Sequence, residues 1–101
     1  ARGVRLLRER RYADAVNLLY SYRDRNSLIA LLSLGYDRSA HEIAQELPAG
    51  AENDYLHAIA ARRVGRRDEA AEHFERAAGA EPRLRFRAKL DPELTELATN
   101  P

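Results

Sequence analysis

Three histidines are the first residues in this sequence that could carry chemistry: His41, His57 and His73, sixteen residues apart. Imidazole titrates near neutrality and is the commonest metal ligand, so each histidine has to be placed. No HExxH or other paired-histidine spacing is present, and the sixteen-residue interval puts each one on a separate helix. His73 has Glu69 one turn before it. That spacing offers two points to a metal ion, but an exposed ion pair within one helix is the simpler reading. The carboxylate pairs Glu69/Glu72 and Glu42/Glu46 fall on helical faces that should be solvated, where carboxylates make poor acid or base catalysts. The chain has no Gly-rich phosphate loop, no GKS or GKT, and no serine beside a plausible base. It has no cysteine, which excludes disulfides and thiolate metal sites. The reading is no catalytic residue, no metal, no cofactor, and a chain that is not an enzyme.

The elements that would hold these side chains are helical. In "DEAAEHFERAA" the apolar positions Ala70, Ala71, Phe74, Ala77 and Ala78 form one helical face. "SAHEIAQEL" repeats the spacing with Ala40, Ile43, Ala44 and Leu47, and "RRYADAVNLLYSY" with Tyr12, Ala15, Val16, Leu19 and Tyr22. Leu28 to Leu34 is apolar on nearly every side and predicts a buried central helix. Strict alternation is missing, so strands are not expected. Gly35, Pro48-Ala49-Gly50, Gly65, and Gly79 with Pro82 mark the breaks between helices. Asn26, Asp37 and Asn53 are suitable N-caps, and "DPEL" at residues 91–94 reads as a helix start.

Length allows one domain with a modest core. No apolar run approaches the roughly 18 residues that a membrane helix needs. The chain has no methionine and starts at Ala1, so it reads as a fragment or processed product, with its compartment open. Net charge is only +1, but the charges fall in blocks: residues 1–25 sum to +4, 26–60 to −4, 61–90 to +4 and 91–101 to −3. Complementary blocks suit solvated helix faces with local ion pairs, and they can also steer neighbours or a charged partner. The basic stretches "RGVRLLRERR" and "RRVGRR" are interleaved with acids and carry no stacking aromatic, so nucleic acid is not the expected partner.

The pairs of helices resemble one another: Gly35 is followed by Ala40 and Leu47, Gly65 by Ala70 and Ala77, and Arg10 by Ala15 and Tyr22. Residues 53–82 in particular resemble a tetratricopeptide repeat, with Ala58, Gly65, Ala70, Phe74, Ala77 and Pro82 in one register. The alanines allow close helix approach, Phe74 fills the space between units, Gly65 permits a tight turn and Pro82 stops the helix. The first two units are shorter than the family's usual period of about 34 residues, and Asp54 stands where the family has tryptophan.

The resemblance implies an all-α, right-handed stack of helical hairpins with about six or seven helices. Its units would fall at about 1–25, 26–49 and 52–82, with a closing helix at about 91–99 and a linking turn before it. It also implies a groove lined by the first helix of each unit. The groove positions become Tyr55, Ile59, Arg62 and Arg63, then Tyr22, Arg25 and Ile29, then Arg8, with Tyr22 and Ile29 read as core. Aromatic area beside forked guanidinium donors suits a protein or peptide partner, an acidic one in particular. The Lys/Asn carboxylate clamp of chaperone-binding members has no counterpart here. The expected function is a protein-interaction module within a larger scaffold or assembly factor. The alternative is a domain that self-associates as a homo-oligomer or packs against its own chain.

Overall fold

A computed structural model describes residues 14, 17, 18 and 22–99. Arg8 and Ala15 lie outside these residues, as does most of the first expected unit. The described chain is all-α, with six helices and no strand among the described residues: α1 (Arg25–Leu34), α2 (Asp37–Glu46), α3 (Ala51–Arg63), α4 (Arg67–Ala80), α5 (Arg83–Lys89) and α6 (Thr95–Thr99).

Two hairpins, α1–α2 and α3–α4, are joined by the same turn thirty residues apart. In the first, Gly35 takes φ +83°, and the Tyr36 N–H donates to the Leu31 carbonyl at 2.9 Å. In the second, Gly65 takes φ +84°, and the Arg66 N–H donates to the Ala61 carbonyl at 2.8 Å. Both are Schellman closures, which satisfy free carbonyls at the helix end and need a residue in the left-handed region. The next helix starts alike in both, with Ala40 N–H on the Tyr36 carbonyl and Ala70 N–H on the Arg66 carbonyl. The repeat visible in the sequence is therefore a repeat of backbone geometry.

The expected small residues are where helices meet. Ala58, Ala77 and Ala40 are fully buried, as is Phe74, and Ala70 is 1% exposed. One apolar cluster runs from Leu28 and Leu31 through Ile43, Tyr55 and Phe74 to Leu84, Leu94 and Ala98. α3 packs against α1, α2 and α4, and residues 54–61 are buried without interruption. The central buried helix is thus α3 and not α1, where Ile29 and Leu34 are 43% and 39% exposed. Tyr22 is also exposed, so the expectation of Tyr22 and Ile29 as core is corrected.

Several local expectations are also corrected. The α1 cap is Asp24, whose carboxylate accepts from the Ser27 N–H at 2.8 Å; Asn26 lies inside the helix. Asp37 and Asn53 are first-turn residues behind Tyr36 and Gly50. Gly79 does not end α4, which runs on to Ala80 and stops at Glu81 and Pro82. Residues 83–89, read as a linking turn, form α5, because Leu84 and Ala88 one turn apart both reach the core. Asp91 does cap the segment after it, accepting from the Glu93 N–H at 3.0 Å, but the helix begins only at Thr95.

Two glycine substitutions should change stability in opposite directions. A Cβ at either Gly65 or Gly79 meets nothing within 4 Å, so only backbone conformation differs. Gly65→Ala should cost about 1 kcal/mol, because φ is positive there. Gly79→Ala, in regular exposed helix, should add about 0.5 kcal/mol. Urea unfolding of both variants checks the sign and the size.

Candidate functional site

Two sets of side chains stand out, and both involve α3. The first is the basic and aromatic face read from the sequence. Tyr55 is 1% exposed, and its hydroxyl donates to an Asp91 carboxylate oxygen at 3.3 Å. Arg87 from α5 lies over the Tyr55 ring, 4.8 Å from its centroid. Burial and the Asp91 charge, partly offset by Arg87, push the Tyr55 phenol up to about 12. Arg63 forms a forked pair with Glu93, with Nη2 to Oε2 at 3.1 Å and Nε to Oε1. Its Nη1 donates to the Leu32 carbonyl at 2.6 Å and to Asp37 at 3.1 Å. Hydrogen bonding to Glu93 leads the causes that raise the Arg63 pKa further. Arg62 reaches Glu96 at 3.5 Å, and Ile59 is buried.

The face is thus covered by the chain's own segment 91–96. Asp91, Glu93 and Glu96 meet Tyr55, Arg63 and Arg62, and Leu94 between them is fully buried. Arg25 stands apart, donating from Nε to Asn53 Oδ1 at 2.7 Å where α1 meets α3. The occupant was visible in the sequence only as an acidic block after a basic one. Nothing in the spacing says that the last block folds back onto the third.

The second set is the histidines, where the structure overturns the sequence reading. His41 of α2 and His57 of α3 both turn Nε2 to the same oxygen of Glu69, Oε2, on α4; for His57 the distance is 2.9 Å. His57 stacks on His73 with ring centroids 3.6 Å apart and planes 11° from parallel, and meets His41 edge-on at 5.7 Å. His73 Nδ1 lies 2.9 Å from Asp54 Oδ1, and the other Asp54 oxygen accepts from the Gly50 N–H at 3.3 Å. Glu69 is therefore not an exposed partner of His73: its side chain is 23% exposed and serves two other histidines. Separate helices do not keep the histidines apart. A helical hairpin brings residues sixteen apart on adjacent helices side by side when the turn falls midway, and Gly65 lies midway between His57 and His73. Glu72, by contrast, makes the ordinary exposed pair, with Arg76 at 2.7 Å.

The cluster makes stability depend on pH. Burial pushes the His57 imidazole below its ordinary pKa, and the charges of His73 and His41 add to this against the pull of Glu69. Burial acts to raise the Glu69 carboxyl, but hydrogen bonds and charge from His41 and His57 outweigh it and hold the pKa below the ordinary value. In both cases the unfolded chain takes up its proton first as pH falls, so folding stability falls with it. With EDTA present, the urea midpoint should drop as pH falls below about 6.5, where His57 titrates, and again below about pH 4.5 as Glu69 does. The first drop should shrink in His57→Gln, and an unchanged pH profile in that variant would contradict the assignment.

Comparison with protein-family models, with curated proteins and with solved structures finds no match for this chain.

Proposed function

We propose that the chain is a non-catalytic protein-interaction module, a tetratricopeptide-like stack whose α3 face holds an acidic turn and the start of a helix. The observation that carries this reading is the segment already on that face, with Asp91, Glu93 and Glu96 spread over Tyr55, Arg63 and Arg62 and Leu94 as the apolar anchor. A partner of the same chemistry, acidic residues flanking one aliphatic side chain, would meet the same donors. The exposed ion pairs contribute little each, about 0.2–1 kcal/mol. Burial of Leu94 contributes more, about 1.5–3 kcal/mol. A segment held so lightly can exchange with a partner only if the partner also fills the Leu94 pocket, because tethering gives the resident segment an effective concentration of roughly millimolar.

A second reading has the same observation in its favour: the acidic segment is the permanent ligand, and the domain packs against its own chain. One measurement separates the two. In a Glu93→Gln/Leu94→Ala chain, a labelled peptide copying residues 91–98 should bind at least tenfold more tightly than to the unaltered chain, by fluorescence anisotropy. Binding should weaken with salt and weaken further when Arg62→Ala and Arg63→Ala are added. An opened chain that remains folded and still ignores the peptide would leave only the intramolecular reading.

A further inference from the structure

We propose that His41, His57 and Glu69 form a binding site for a divalent transition-metal ion of the zinc class. The three ligand atoms, two imidazole Nε2 and one carboxylate oxygen, lie within 4.8 Å of one another. They come from three successive helices, α2, α3 and α4, which fix them by packing. Both imidazole side chains are buried, at 8% and 9% exposure, so little ordering is left for the ion to impose.

Geometry and ligand type agree. A tetrahedral ion with bonds of about 2.0–2.2 Å holds its ligand atoms about 3.3–3.5 Å apart. His57 and Glu69, at 2.9 Å, need to open by about half an ångström, and the closer His41–Glu69 pair by more. Two neutral imidazoles and one carboxylate suit zinc, nickel or copper, whereas calcium and magnesium take oxygen ligands. Three protein ligands leave a fourth position for water. His41 lines a surface depression of about 440 Å³ with Glu42, Gln45, Val64, Arg38 and Arg66, which gives an ion a route in from solvent.

The surrounding side chains hold the ligands in place. His73 stacks on His57 and is itself held by Asp54, which the Gly50 N–H holds in turn. Such outer contacts orient ligating imidazoles. Without an ion, two imidazoles share one carboxylate oxygen. With one, the same three atoms each donate a lone pair to the metal, and each neutral imidazole carries its proton on Nδ1. The two arginines at the mouth repel a divalent cation, so affinity should be about micromolar, near −8 kcal/mol by conversion, and not nanomolar.

The test uses the full chain without an affinity tag, stripped with EDTA and titrated with zinc sulfate in a calorimeter. One ion per chain should bind. At a hundredfold excess over Kd the melting temperature should rise by about 10 °C. Millimolar calcium should give neither effect. Cobalt(II) should give the visible absorption of a four-coordinate site. Glu69→Gln, which keeps the shape of the side chain, and His41→Asn should each weaken zinc binding at least tenfold while circular dichroism confirms the fold. Where His41→Asn fails to fold, Glu69→Gln decides the test. Absence of zinc binding by the unaltered chain, or equal binding by a folded Glu69→Gln chain, overturns the proposal.

Discussion

Residues 54–61 of α3 are shut away from water, and besides Tyr55 two of them, Asp54 and His57, carry polar side chains. A buried polar group left unpaired costs about 1–3 kcal/mol, and a charged one more. α2 and α4 must therefore sit where they bring His41, Glu69 and His73 to those groups, and no buried side-chain polar atom is left without a partner among the described residues. This requirement fixes the rotation and the register of three helices together. A slip of one residue in α4 would turn Glu69 away from His57 and also move Phe74 and Ala77 out of the core.

The hairpin closures serve the same requirement from the backbone side. Gly35 and Gly65 let each helix reverse within a few residues, so the partner helix starts at a defined height. Small residues at Ala58, Ala70 and Ala77 then allow α3 and α4 to lie close together, with Phe74 filling the space toward the following segment. Arg85 lies over the Phe74 ring at 5.4 Å and Arg87 over Tyr55, so α5 is tied to both helices of the second hairpin by cation–aromatic contacts. The arginine-rich composition thus acts partly as packing, with guanidinium groups covering aromatic faces that a shorter side chain would leave wet.

The turn after α5 explains how one chain carries both a basic block and its acidic complement. Asp91 caps the backbone locally and reaches Tyr55 at long range, while Leu94 enters the core. The alternation of charge along the sequence becomes neutralisation across space: the Arg62–Arg63 end of α3 and the segment 91–96 face each other with opposite sign. The exposed apolar groups Phe86 and Leu90, 69% and 88% open, lie just before this turn and take no part in that contact.

The all-helical class, the two glycine turns, the stop at Pro82 and the small-residue positions were legible in the sequence, because each depends on local backbone limits or on a period of 3.6. The caps at Asp24 and Gly50 and the helix over 83–89 were less legible, since neighbouring short polar residues compete for the same cap and two buried side chains are too few to set a period. What tertiary structure alone decided was which helix lies in the middle, where the acidic end folds, and that His41, His57 and Glu69 meet. Those outcomes depend on the crossing of helices that are distant in sequence. Periodicity records which face of a helix is apolar, but not which neighbour that face meets, and a buried histidine or aspartate in the pattern reads as solvent-facing until its partner is in place.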